Sequence, residues 1–275
     1  MSNKIQLSRA ETKEKITDIL IAFDEFAKAN NIRYSLGAGT LLGAIRHQGF
    51  IPWDDDIDVY VPRPDYEKIV AMAKAGWASG DLRFTGFEID DFPMPFIKMI
   101  NSSIEVVDRA TRKGIPLHLW IDIFPVDGMP DDPMQARRLL KTAKILIYLI
   151  KAGNYRFLGA GRTRAKRIAK MIAIPIVKAC HLNSWAEYRL ISIAKSNRYE
   201  ESKTVCDVVW NAYGVGEIID RLDFEEMSPV RFEGRGFPAT TSYDKWLKGF
   251  YGDYMALPPK EQRVSHGVIA MRKGN

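Results

Sequence analysis

Four aspartates fall within five positions, Asp54, Asp55, Asp56 and Asp58, in the stretch GFIPWDDDIDVYVPRPDY at residues 49–66. Carboxylates this close repel one another, so a cation belongs among them. Residues two apart on a strand point the same way, with Cα atoms about 7 Å apart, so Asp56 and Asp58 can converge on one or two metal ions. Hard divalent cations such as Mg²⁺ take oxygen ligands, often one or two protein carboxylates completed by phosphate oxygens. That donor set suits an enzyme acting on a metal-bound nucleotide or phosphate. A further acid, Asp122, stands inside the apolar run LHLWIDIFPVDG. Buried there, it must be hydrogen-bonded within the core, paired, or bound to a metal.

Other readings of the acidic run are open to test. A run of acids commonly marks a solvated loop, but the alternation Ile57-Asp58-Val59-Tyr60-Val61 sets these acids beside a core. An EF-hand is excluded, because Val59 stands where that loop requires Gly and Pro62 occupies its ninth position. The D-x-D of nucleotide-sugar glycosyltransferases remains an alternative. Upstream, LGAGTLLG is neither a P-loop nor G-x-G-x-x-G. A Gly39-Thr40 pair opening a helix can still present backbone N–H groups and a hydroxyl to a phosphate. Arg46 and His47, at the end of that short helix, either add positive charge or pair with Asp54 or Asp55. Lys98, in PFIKMIN, lies on a strand between the two acid-bearing ones and reaches either the phosphates or solvent.

These groups need elements to hold them. Ser8 and Glu11 form a capping-box pattern at the head of a helix over residues 8–30, with one apolar face from Ile16 to Ala27. A strand over 32–36, a Gly-rich turn at 37–40 and a helix to His47 follow. The strand IDVYV places Ile57, Val59 and Val61 on one face and Asp56, Asp58 and Tyr60 on the other. Pro62 and Pro64 end it, and a helix covers 65–74. LRFTGFEI, FPMPFIKMINSS and EVVDR read as strands, as does the run carrying Asp122. Beyond Pro130–Pro133 the chain reads as helical to about residue 200. Short strands at 204–210 and 230–237 and a helix at 242–251 complete the pattern, an α+β fold.

Composition narrows the function classes. Hydrophobic content of 46% supports a sizeable core, which excludes disorder. The two cysteines, Cys180 and Cys206, show no metal or disulfide spacing, so a reducing compartment is expected. The N-terminus carries no apolar stretch of signal-peptide type, and no window reaches the roughly 18 to 20 apolar residues of a membrane-spanning helix. A cytoplasmic location is expected, with the inner face of the cell membrane as an alternative place of action. The net charge of +6 is uneven. Residues 133–186 hold no acid and twelve Lys or Arg; removing those from the forty leaves 28 basic against 34 acidic residues elsewhere. Basic amphipathic helices lie on anionic membrane surfaces, and a soluble helical unit with a cationic face fits the same pattern. A basic nucleic-acid module without activity would leave the aspartates and Asp122 unused, so no nucleic-acid partner is expected.

The Gly-Thr turn opening a helix, followed by a strand with Asp-x-Asp, resembles the DNA polymerase beta-type nucleotidyltransferase superfamily. The fuller string GTLLGAIRHQGFIPWDDDIDVYVPRPDYEKI, with WIDIFPVDGMP and YDKWLKGFYGDYMALPPKEQRVSH, resembles the LicD family of phosphocholine transferases, whose relatives include fukutin and fukutin-related protein. The resemblance implies a nucleotidyltransferase-type mixed β-sheet core at 1–132, a basic helical insertion at 133–200 and a C-terminal part at 201–275 completing the catalytic domain. It implies Asp56 and Asp58 as paired ligands of Mg²⁺ or Mn²⁺, with Asp122 as the third carboxylate. Gly39 and Thr40 would touch phosphate, with Arg46, His47 and Lys98 as further substrate contacts. The implied reaction moves phosphocholine from CDP-choline to a sugar hydroxyl of a lipid-linked or polymeric glycan, such as a teichoic acid, lipopolysaccharide or capsule precursor, and releases CMP. Relatives that transfer ribitol phosphate keep another phosphoalditol open as the head group. A choline group calls for aromatic faces, and Trp53 and Trp120 lie nearest the acids, though either fits a core role.

Overall fold

The computed structural model describes residues 4–90, 92–107, 117–154, 174–177, 179–263, 265 and 267–273. Helix α1 (Arg9–Ala29) opens on the expected capping box: the Ser8 hydroxyl accepts from the Glu11 N–H at 3.2 Å, and the Glu11 carboxylate accepts from the Ser8 N–H at 2.8 Å. Each partner satisfies a backbone donor that the first turn leaves open. The face marked by three- and four-residue spacing is the buried one, with Ile16, Ile19, Leu20 and Phe23 at most 1% exposed.

The strands of the first half are β1 (Lys4–Gln6), β2 (Ser35–Leu36), β3 (Asp58–Pro62), β4 (Ala78–Ser79), β5 (Leu82–Gly86), β6 (Ile97–Val107) and β7 (His118–Gly128). From the C-terminal third come β8 (Thr204–Cys206), β9 (Ile219–Asp220), a hairpin of β10 (Met227–Phe232) and β11 (Arg235–Thr240), and β12 (Ile269–Lys273). Apart from the hairpin they form one sheet, with the central order β1-β12-β6-β7-β3-β2. β3 and β7 run parallel, and the remaining pairs are antiparallel. With the helices α2 (Ala38–His47), α3 (Arg63–Lys74) and α4 (Phe87–Asp90) beside it, this is an α+β fold with a mixed sheet. One sheet face is core: Val59, Val61, Ile97, Met99, Ile121 and Ile123 are at most 1% exposed. Phe84, opposite Met99, meets Phe26 of α1 with ring centroids 5.1 Å apart.

Several elements differ from expectation, each for a local reason. β3 begins at Asp58, so Asp56 lies in the lead-in and not on the strand. α3 begins at Arg63 with Pro64 in its first turn, where a missing N–H costs nothing. The strand expected to run to Ile89 stops at Gly86, because Asp90 accepts from the Thr85 hydroxyl and the Gly86 N–H and folds the chain into α4. Residues 230–237 turn back on themselves at Glu233-Gly234, both at positive φ (44° and 79°), the conformation that two-residue hairpin turns favour.

Beyond β7, α5 (Pro133–Asn154) packs against α6 (Leu182–Ala194). The apolar side of α5, including Leu140, Ala143, Ile147 and Ile150, is buried. An amphipathic helix offering its apolar side outward is thus not what α5 is; that side belongs to the core. Seven of the basic residues, Arg156, Arg162, Arg164, Lys166, Arg167, Lys170 and Lys178, lie outside the described residues. α7 (Arg221–Glu225) and α8 (Tyr243–Tyr251) complete the described helices used below. No described helix is long and apolar enough to cross a membrane.

Candidate active site

Sheet register brings the main charged groups into one row. Asp58 on β3 stands opposite Asp122 on β7, and Asp122 stands opposite Lys98 on β6. Directly paired residues point to the same face, and neighbouring strands lie about 4.8 Å apart. The row therefore crosses three strands on the face opposite the aliphatic core. Lys98 forms an ion pair with Asp122 Oδ1, and the Trp120 indole N–H donates to Oδ2 at 3.1 Å. The Lys98 ammonium also lies over the Trp120 ring at 4.4 Å and the Phe96 ring at 5.2 Å. With Lys98 and Asp122 only 7% and 9% exposed, removing either charge would leave the other uncompensated in a poorly solvated place.

The four aspartates of the cluster have separate tasks. Asp58 is fixed by its backbone: its N–H donates to the Thr40 hydroxyl at 2.8 Å, and its carbonyl accepts from the Gly37 N–H at 3.1 Å. Both partners sit at the head of α2, so the Gly-rich turn positions the first acid of the row. Asp54 folds back over the same turn. A Cβ on Gly39 would come within 2.7 Å of the Asp54 Oδ2, so a side chain there would displace the Asp54 carboxylate from its place over the turn. Asp55 faces elsewhere. Its carboxylate is buried and accepts from the Ser265 hydroxyl at 2.7 Å and from the N–H groups of Gly267 and Val268 at 3.2 and 3.3 Å. Asp55 thereby ties the C-terminal chain, just ahead of β12, to the aspartate loop.

Charge is out of balance in this space. Burial, the Asp58 and Asp54 charges, a hydrogen bond with Asp54 and the Asp122 charge together hold Asp56 well above the usual carboxylate range. Asp58 is likewise pushed well up, by burial and then by Asp122 and Asp54, with Lys98 as the opposing influence. Among the described residues no group of three or more Asp, Glu, His or Cys side chains is placed to hold a metal ion. By its chemistry alone, the donor set of carboxylate oxygens suits a hard dication.

The C-terminal third supplies groups that spacing did not reveal. Tyr213 and Tyr251 share a hydrogen bond, and burial, with the Asp58 and Asp54 charges, opposes ionisation of both phenols. Tyr213 stacks on Phe250 at 5.2 Å and meets Tyr251 edge-on at 5.1 Å. Tyr213 is held from behind by Glu217, whose buried carboxylate accepts from the N–H groups of Ala212 and Tyr213, both at 2.6 Å. Burial pushes Glu217 up to about 7, and those two N–H groups oppose the shift. Lys151 of α5 lies 4.0 Å over Trp210, whose ring meets Phe96 at 5.1 Å, next to Lys98. No ion pair engages Lys151 among the described residues, and burial lowers its proton affinity. A lone lysine in an apolar-rich helix gives no sequence signal of this kind.

The remaining expected contacts fall as follows. Arg46 donates to the carbonyls of Tyr254 and Ala256 at 2.7 and 3.2 Å, and to His47 Nε2 at 3.0 Å. It pins the chain after α8, and its bonds run to backbone and His47, not to Asp54 or Asp55. Burial and then Arg46 push the His47 imidazole below its ordinary value, consistent with its accepting role. Trp53 carries the Arg263 guanidinium 5.1 Å over its ring, and Trp120 carries Lys98, so each expected cage residue already has a cation at one face. His266, in the family-like C-terminal string, lies outside the described residues.

Residues 31–136 match the LicD/FKTN/FKRP nucleotidyltransferase domain. That span holds Gly39, Thr40, Arg46, His47, Asp56, Asp58, Lys98 and Asp122. Over 276 aligned residues, 96% of this chain and 97% of the other, the sequence is 29% identical to the lipopolysaccharide cholinephosphotransferase LicD of Haemophilus influenzae. An uncharacterized protein of Rickettsia typhi is 54% identical over 127 residues, 45% of this chain and 38% of that one.

Proposed function

Proceeding from a LicD-family nucleotidyltransferase domain and an enzyme of the phosphotransferase class, we propose that this protein transfers phosphocholine from CDP-choline to a sugar hydroxyl of a cell-surface glycan precursor. Lipopolysaccharide is the acceptor of the Haemophilus relative by its name, and a lipid-borne or polymeric glycan is the acceptor class proposed for this chain. The observation that carries the reading is the row Asp58–Asp122–Lys98, with Asp56 ahead of it. In the reaction a bond forms between the acceptor oxygen and the β-phosphorus, the bond from that phosphorus to the CMP oxygen breaks, and the acceptor proton passes to a carboxylate.

Asp56, Asp58 and Asp122 would hold Mg²⁺ or Mn²⁺, which supplies charge neutralisation for the diphosphate and for the departing CMP. Lys98 and Trp120 each engage one oxygen of Asp122. A carboxylate oxygen has two lone pairs, so Asp122 keeps acceptor capacity on both oxygens while its orientation is fixed. Thr40 holds the Asp58 backbone through its hydroxyl oxygen, and the hydroxyl proton stays available for a phosphate oxygen. Lys98 adds positive charge within the row, and the Tyr213–Tyr251 pair lies close enough to feel the Asp58 and Asp54 charges.

A thermal-shift panel tests the donor. Ligand that binds the native state alone raises apparent stability, so with Mg²⁺ the expected order is CDP-choline above CDP-ribitol and above UDP-sugars. A larger shift with CDP-ribitol would move the head group to a phosphoalditol. A shift with UDP-sugars alone would sink the CDP-donor reading in favour of a glycosyltransferase.

A further inference from the structure

The solvent side of α5 carries a pattern that the transfer chemistry does not use. Met134, Arg138, Lys141, Ile145 and Tyr148 follow one another at four- and three-residue steps, so they line one side of the helix. This stripe lies opposite the buried one and runs about 21 Å at 1.5 Å per residue. Met134, Ile145 and Tyr148 are 60%, 61% and 62% exposed. Single exposed apolar residues are ordinary; three large ones spaced by cations on one helix face are not.

The charge around the stripe has one sign. Residues 133–186 contain no acid. Arg137, Arg138, Lys141 and Lys144 make no ion pair among the described residues. The nearest acids in sequence are engaged at the helix start: Asp132 accepts from the Met134 N–H at 2.8 Å, and Asp131 pairs with Lys203 at 3.5 Å. The neighbouring α6 shows two more exposed rings, Trp185 at 56% and Tyr188 at 66%, the latter braced edge-on against Phe87 at 4.8 Å.

We infer that this face of α5 docks on a membrane surface rich in anionic phospholipid. A second copy of the chain fits poorly, because two stripes carrying Arg138 and Lys141 and no acid would be brought together. A nucleic acid would use the cations but gain nothing from Met134 and Ile145, since its backbone recognition is electrostatic and its stacking needs rings. An anionic bilayer uses both kinds of residue at once. Lys and Arg meet the headgroups, aliphatic side chains enter the acyl boundary, and Tyr and Trp settle at the interface. The buried apolar side keeps α5 in the fold while the stripe makes the contact, so docking needs no unfolding. The inference is independent of the head group transferred, and it would bring the site to acceptors that travel on lipid.

Co-sedimentation of the full chain with vesicles tests it. Vesicles of phosphatidylcholine with ~30 mol% phosphatidylglycerol should pellet the protein, and pure phosphatidylcholine should not. Raising salt to about 0.5 M should weaken the binding at least tenfold, because surface charge is then screened. Ile145→Ser with Tyr148→Ser, and separately Arg138→Glu with Lys141→Glu, should each cut binding about tenfold while leaving the CDP-choline thermal shift unchanged. The wild-type lipid and salt series decides the matter even if a variant fails to fold. Equal binding to both vesicle types, or no pelleting with phosphatidylglycerol, would overturn the inference. So would a salt-sensitive complex with a DNA or RNA oligomer in place of vesicle binding, or a dimer that Ile145→Ser dissolves.

Discussion

Two aspartates on β7, Asp122 and Asp127, lie in the same apolar run, and each meets one cation. Asp127 is fully buried and receives two bonds from Arg63, Nε at 2.6 Å and Nη2 at 3.0 Å. Burial pushes Asp127 up, and Arg63 acts against that shift. Burial works against the Arg63 charge as well, yet Asp127 holds its proton affinity above the ordinary value. That pair is complete: a planar fork meets a carboxylate and leaves no surplus charge. Asp122 meets a single ammonium and an indole, in company with Asp58, Asp56 and Asp54. An acid inside a strand is a closed structural pair in one place and one of several neighbouring carboxylates in the other. The difference lies in what surrounds each acid, and on the reading proposed above it separates a stabilising pair from a catalytic one.

The largest expected effect sharpens that separation. Asp122→Asn or Asp58→Asn should lower turnover by about 10²–10³-fold, the scale of losing a group that meets charge developing in the transition state. Asp127→Asn should leave the turnover of the folded fraction near wild type. The second effect has the opposite emphasis. Arg63→Ala leaves a buried carboxylate without its partner and should cost about 3–5 kcal/mol of stability, read from denaturant midpoints. A catalytic loss without destabilisation at Arg63 would break the comparison.

A smaller effect concerns the surplus charge itself. In metal-free protein, Asp58→Asn should raise stability by about 1–2 kcal/mol near neutral pH, because it removes one member of a repelling group. The sign follows from the raised value of Asp58. A carboxyl whose folded-state value is raised contributes stability at low pH that is lost as pH rises through that value. The gain from Asp58→Asn should therefore shrink on acidification. Smallest is Glu217, pushed up to about 7. Its contribution is present below its unfolded value and fades as pH rises through about 7, so Glu217→Gln should flatten the pH dependence of the melting temperature there.

Local pattern was enough for part of this. The alternation at Ile57, Val59 and Val61 marked the core face and so the chemical face opposite it, and Ser8 with Glu11 marked the head of α1. Asp122 was visible because an acid in an apolar strand needs a reason. The row itself was not legible, since pairing of Lys98 with Asp122 and of Asp58 with Asp122 is a matter of cross-strand register, which hydrophobic pattern constrains only by face. Asp55 looked like its neighbours, and only the return of the chain at residues 265–268 gives it a structural task. Asp127 and Tyr213 were invisible for the same reason: their partners, Arg63 and Tyr251, lie far away in sequence. In the basic segment, helical spacing identified an apolar side of α5 but not that α6 and the core cover it.

We propose that the row Asp58–Asp122–Lys98 serves phosphocholine transfer from a CDP-linked donor. Its most direct test is CMP release from CDP-choline with Mg²⁺ and a glycan acceptor, measured for wild type, Asp122→Asn and Asp127→Asn at matched folded fraction. The account predicts release by wild type and Asp127→Asn, with a fall of about 10²-fold or more for Asp122→Asn. CMP release by Asp122→Asn at the wild-type rate would contradict it.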